Sequence, residues 1–114
     1  MVIVFDTETT GLPKDYKANA DQVDNWPRII QLAWALFENN GTPIKTAKHL
    51  IKPDGWQIPT KETFMADGKT EEEAIKQADF WVRNNYTMEL FETQGKPIVE
   101  VLQEIIYDRL HADL

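Results

Sequence analysis

The sequence predicts an α/β fold in which a three-stranded antiparallel meander comes first and helices follow. Three observations carry this. Val2-Ile3-Val4-Phe5 opens the chain as an apolar run that ends in two carboxylates, Asp6 and Glu8. Ile29–Phe37, the strongest hydrophobic run, leads through Asn39-Asn40-Gly41 into a second extended stretch. From Thr60 onward the apolar spacing changes from strand-like to helical.

In the first strand the apolar residues do not alternate with polar ones, which predicts a strand covered on both faces. Residues 13–28 have no apolar period and contain Pro13 and Pro27. They read as a long loop over the carboxylates, with Tyr16 and Trp26 tucked onto the core. Ile29–Phe37 is the second strand. Asn39-Asn40-Gly41 tolerates the positive φ of a tight turn, and residues 44–51 return as the third strand. Asp54-Gly55-Trp56 and Ile58-Pro59 turn the chain out of the sheet. Residues 61–66 read as a short helix broken by Asp67-Gly68.

Thr70 and Glu73 have the spacing of a capping box at the start of a longer helix, and Glu71–Glu73 suit the positive end of its dipole. Ala74, Ala78, Trp81 and Val82 line its apolar face. Thr87 is the expected N-cap of the next helix, and Gly95 its stop. Pro97 sits in the first turn of the last helix. Its core stripe is predicted to be Ile98, Val101, Leu102, Ile105 and Ile106. No repeat or low-complexity segment interrupts the order.

At 114 residues and 42% hydrophobic content the chain supports one domain with a modest core. No apolar run is long enough for a membrane span, and no secretory signal is visible. The absence of cysteine excludes disulfides and thiolate metal sites and fits a cytoplasmic location. The net charge of −7 argues against a broad basic nucleic-acid surface. Residues 1–60 carry six basic and seven acidic side chains, and residues 61–114 carry six and twelve. The acidic excess therefore lies away from the first strand.

Residues two apart in a strand point to the same side, so Asp6 and Glu8 project together. Such a pair is costly unless water or a cation separates it. Mg²⁺ or Mn²⁺ would turn that cost into binding, since hard cations take carboxylate oxygens and fill other positions with water and phosphate. Thr9-Thr10-Gly11 would leave hydroxyls and backbone N–H groups free for a phosphate or a nucleotide end. Gln31, near the start of the second strand, could support the site by a hydrogen bond.

The string Phe5-Asp6-Thr7-Glu8-Thr9-Thr10-Gly11-Leu12 resembles the first motif of the DEDD 3′–5′ exonucleases. That superfamily includes the polymerase proofreading exonucleases and ribonuclease T. The resemblance implies an incomplete ribonuclease-H-like fold and two-metal hydrolysis of terminal phosphodiesters of DNA or RNA. Asp6 and Glu8 would be the shared metal ligands. Thr7, Thr9, Thr10, Gly11 and Leu12 would surround the terminal nucleotide, with Leu12 against its base. Asn84-Asn85-Tyr86-Thr87 partly resembles the family's His-Gly-Ile-Thr element, matching it at Thr87, and Tyr86 could stack on a base. The implied partners are a nucleic-acid 3′ end and a polymerase or other replication protein.

The resemblance runs through all 114 residues as the front of one exonuclease domain, with residues 60–83 an insertion. The family's later acidic motifs, and its final His and Asp, are absent. His111 and Asp113 do not match their spacing and read as ordinary terminal residues. The expected function is thus an exonuclease whose site these residues leave incomplete. The alternative is a non-catalytic module that binds nucleic-acid ends or a protein. A phosphotransferase of the haloacid-dehalogenase type also begins with a strand ending in Asp-x-Asp, but Glu8 and the meander depart from it.

Overall fold

The computed structural model describes residues 1–111. Strand β1 (Val2–Thr9), β2 (Ile29–Phe37) and β3 (Pro43–Leu50) form one antiparallel sheet in the order β1-β2-β3. Helices α1 (Lys61–Ala66), α2 (Glu71–Arg83), α3 (Met88–Gln94) and α4 (Ile98–His111) follow. The meander and the order of helices match the sequence expectation. The loop after β1 also holds a single 3₁₀ turn, Val23–Asn25. No helix among the described residues is long and apolar enough to cross a membrane.

Local chemistry accounts for the element ends. Thr70 caps α2 by accepting from the Glu73 N–H, and Thr87 caps α3 by accepting from the Leu90 N–H. The complete reciprocal capping box lies at α1 instead, between Thr60 and Thr63. Asn85 takes φ 56°, a left-handed conformation that asparagine tolerates, and this turns the chain between α2 and α3.

Two buried clusters hold the helices on the sheet. Ile30, Trp56, Trp81 and Phe91 form one, with Leu50, Phe80 and Tyr86 packed against it. Leu32, Trp34, Ile51 and Val101 form the other, so α4 lies over β2, with Ile3, Ile98 and Ile105 at its margin. Asp108 on α4 is buried, accepting from the Trp34 indole N–H at 2.8 Å and the Lys45 ammonium at 2.9 Å. Lys45 and His49 of β3 also lie within 3.8 and 2.6 Å of Glu104. These contacts turn the Glu104–Asp108 side of α4 toward β3.

Four expectations are corrected. β1 is not covered on both faces: it is the sheet edge, and Val2, Val4 and Phe5 are exposed while Ile3 alone packs against the core. In α4 the inward side is Ile98, Val101, Ile105 and Asp108. Leu102 and Ile106 look outward on the flank beside β1, because the Asp108 anchor rotates the helix toward β3. In α2, Val82 is exposed, since burial of Ala74 and Trp81 turns it about 100° away, onto the open flank of the helix. Tyr16 is likewise exposed, while the Trp26 indole donates to the Asn19 carbonyl within its own loop. His111 closes α4, its ring stacked on Tyr107 at 3.9 Å; Asp113 lies outside the described residues.

Candidate functional site

β1 pairs with β2 so that Asp6 faces Ala33 and Glu8 faces Gln31, and β2 pairs with β3 so that Ala33 faces Lys48 and Gln31 faces Leu50. Directly opposed residues share a face. Asp6, Glu8, Ala33, Gln31, Lys48 and Leu50 therefore lie on the sheet face opposite α4. Ala33 and Ala35 are small, so the middle of this face is a shallow trough bordered by Val4, Asp6, Thr46 and Lys48. Lys48 was not singled out from the sequence. Counting by twos from the hairpin turn would have placed it on the carboxylate face, about 10 Å across two strand spacings.

A register shift follows Glu8: Thr9 pairs with Ile29, leaving Ile30 as an extra residue. This bulge ends the regular ladder where the carboxylates sit. Neither Asp6 nor Glu8 has an ion-pair partner among the described residues. Asp6 is exposed and Glu8 half-buried.

Two residues expected only as supports meet beside Glu8. The Tyr86 hydroxyl donates to Gln31 Oε1 at 3.1 Å, and Gln31 is buried directly across from Glu8. Burial, and then the negative charge of Glu8, push the Tyr86 phenol above its ordinary pKa. The Tyr86 ring packs against Trp81 and Phe91 at 5.9 and 5.3 Å, so its position is set by the core. It is held by ring packing on one side and the Gln31 bond on the other, close enough to Glu8 for that charge to act on the phenol. We expect Glu8→Gln to lower the Tyr86 pKa toward the usual tyrosine value, but not all the way, since burial remains. Spectrophotometric titration of the phenol at alkaline pH measures this, and Tyr86→Phe identifies which part of the signal is Tyr86.

The turn after β1 is less open than its composition suggests. The Thr9 hydroxyl donates to the Gly11 carbonyl at 2.9 Å, and the Thr10 hydroxyl accepts from the Arg28 N–H at 3.0 Å. The Thr10 N–H itself bonds to the Arg28 carbonyl at 2.9 Å. These groups build the turn and are not free. What stays open is space: a Cβ placed on Gly11 would meet nothing within 4 Å. Leu12 projects into solvent beside a recess of about 240 Å³ that Trp26, Trp56 and Phe64 also line. Thr7 faces Leu32, on the α4 side of the sheet, away from the carboxylates.

Asp6 and Glu8 are hard oxygen donors, open and without a cation, which suits a divalent metal. No group of three or more His, Cys, Asp or Glu side chains clusters in metal-binding geometry among the described residues. Searches of protein-family models, curated proteins and solved structures find no match to this chain.

Proposed function

We propose that the chain carries the metal-binding front of a 3′–5′ exonuclease with a ribonuclease-H-like architecture, acting on the 3′ end of DNA or RNA. The observation that carries this reading is the placement of Asp6 and Glu8 on one sheet face with no ion-pair partner among the described residues. The motif from Phe5 to Leu12 supplies the reaction class. Asp6 and Glu8 would hold Mg²⁺ or Mn²⁺, and the metal would supply a water of lowered pKa and charge neutralisation at phosphate. Further ligands for a two-metal site would come from outside the described residues.

The chain's own residues have distinct roles in this proposal. Gln31 and Tyr86 fix the backbone and charge environment of Glu8. Open space at Gly11 admits the terminal nucleotide, and exposed Leu12 lies against its base. The aromatic recess beside Leu12 has room for a second base, and stacking on aromatic rings is tolerant of sequence. Lys48 offers a positive charge on the same face.

The experiment is calorimetric titration of Mn²⁺ into the chain and into Asp6→Ala, together with degradation of a 5′-labelled single strand. The expected result is Mn²⁺ binding that weakens at least about tenfold in Asp6→Ala. Equal binding by both proteins would contradict it. A second reading, a module that binds nucleic-acid ends without cutting, is favoured by the lack of a third clustered ligand among the described residues. Metal-dependent shortening from the 3′ end selects the nuclease. Strand binding without shortening selects the module.

A further inference from the structure

We propose that the recess beside Leu12 is a base-selective subsite. It takes the nucleobase that precedes the 3′-terminal one and favours bases that carry an exocyclic amino group. The proposal rests on the nuclease reading for where the 3′ end lies.

The walls are the first argument. Trp26, Trp56 and Phe64 come from the loop after β1, the turn after β3 and α1, and together they border a space of about 240 Å³. Sites for drug-sized ligands enclose about 300–1,000 Å³, so this one admits a single flat ring system and leaves a sugar and phosphate outside. Two of its walls are braced before anything binds. The Asn25 side chain accepts from the Asp15 N–H at 2.7 Å and donates to the Asp15 carbonyl at 2.9 Å, which ties the loop to itself. The Trp26 N–H is spent on Asn19, so Trp26 offers ring surface alone. The Thr60–Thr63 capping box closes the start of α1. A preformed pocket loses little to ordering when it is filled.

An unmet donor is the second argument. Trp56 is 7% exposed, and its indole N–H is buried with no hydrogen-bond partner among the described residues. Such a donor is costly, and folded proteins rarely keep one without a reason. A carbonyl oxygen or ring nitrogen on the edge of a seated base is the acceptor that this N–H lacks. An aliphatic group in the same space would leave it unmet.

The rim supplies the selection. Stacking alone is tolerant of sequence, but Asp24 and Asp67 stand at the rim with no ion-pair partner among the described residues. Carboxylates accept hydrogen bonds and donate none. They favour the amino groups of adenine, cytosine and guanine over the carbonyls of thymine and uracil. Lys14, the cation at the same rim, suits the phosphate that stays outside. Thr10 lies two residues past Glu8, at most about 7 Å along the chain, and both Thr10 and Leu12 border the recess. A strand whose last base rests on Leu12 therefore brings its preceding base to the mouth. Phe64 and Asp67 belong to the stretch read as an insertion, so this selectivity is a property of the chain and not of the motif.

The test is binding of short single-stranded DNA to the full chain in EDTA, with one nucleotide at a time made abasic. Affinity should fall at least about fivefold when the nucleotide before the 3′ end is abasic, and thymine there should bind more weakly than adenine or cytosine. Gln57→Trp fills the recess from an exposed position and should remove both differences, whereas Asp67→Asn should reduce only the second. In ¹⁵N spectra the Trp56 indole resonance should shift on binding, while that of Trp34, held by Asp108, stays in place. No strand binding, a scan that is flat at that position, or a fixed Trp56 resonance overturns the proposal. Titration of Mn²⁺ into the same protein separates the two claims. Mn²⁺ binding that is lost in Asp6→Ala, beside a flat scan, ends the subsite and leaves the nuclease reading. A positive scan without Mn²⁺ binding does the reverse.

Discussion

Gly95→Ala is expected to destabilise the fold by about 3 kcal/mol or more. A Cβ at Gly95 would lie 2.3 Å from the Phe91 carbonyl oxygen, 2.6 Å from the Lys52 nitrogen and 2.8 Å from the Ile51 carbonyl carbon. All three are backbone atoms, so no side chain can swing away. Relief requires the end of α3 to move off the end of β3. That move strains the two bonds that join them, Lys96 N–H to Leu50 and Lys52 N–H to Lys96, and the Gly95 N–H bond to Phe91 that closes α3. It also disturbs Phe91, which is fully buried among Trp56, Trp81 and Tyr86. Thermal unfolding followed by circular dichroism should show a midpoint lower by roughly 10–20 °C. A shift of only a degree or two would mean that the close approach is not a feature of the folded chain.

Asp108→Ala has the second large effect, about 2–4 kcal/mol. Most of it comes from the Trp34 indole N–H, which is buried and would lose its acceptor. The Lys45 contribution is smaller, about 1 kcal/mol or less, because its ammonium is partly exposed and screened. Asp108→Asn keeps an acceptor for Trp34 and should cost less than half as much. The same group sets an acid limit. Burial alone would raise the Asp108 carboxyl, but hydrogen bonds from Lys45 and Trp34, with the Lys45 charge, outweigh it and hold it below the usual range. A depressed folded-state pKa stabilises fully above the unfolded value, about 4, and the gain disappears as pH falls through the folded value. Denaturant midpoints should therefore drop on acidification from about pH 4 downward, and this part of the drop should be missing in Asp108→Asn. At the alkaline end the hydrogen bond to Asp108 holds Lys45 above its usual value. Its contribution persists until pH rises through that raised value.

The meander and the helices were legible because their signals are local. The Asn39-Asn40-Gly41 turn, the Thr70 and Thr87 caps and the switch of apolar period each depend on a few neighbouring residues. The facing of Asp6 and Glu8 was legible for the same reason, since it follows from the period of a strand. What was not legible depends on contacts distant in the chain. The outward turn of Leu102 and Ile106 follows from Asp108 bonding to Trp34, 74 residues away, and an aspartate in an apolar helix carries no sign of that partner. Gly95 was read as a helix stop, but its φ is −72° and its reason is the passage of β3 against α3. In the site, Gln31 and Tyr86 were each named from separate arguments. Their hydrogen bond across 55 residues needed the fold. Thr9 and Thr10 went the other way, since their hydroxyls were expected to be free and instead close the turn.

The proposed nuclease role requires a cation at Asp6 and Glu8. The direct measurement is paramagnetic broadening of amide resonances during addition of substoichiometric Mn²⁺ to the ¹⁵N-labelled chain. The predicted result is early loss of signals from Asp6 to Gly11, then from Gln31 and Tyr86, with residues of the α2 start unaffected at the same metal level. Loss of that pattern in Asp6→Ala completes the prediction. Broadening that begins instead at Glu71–Glu73, or that spreads evenly over the acidic second half, would contradict it and leave the Asp6–Glu8 pair as a solvated strand end.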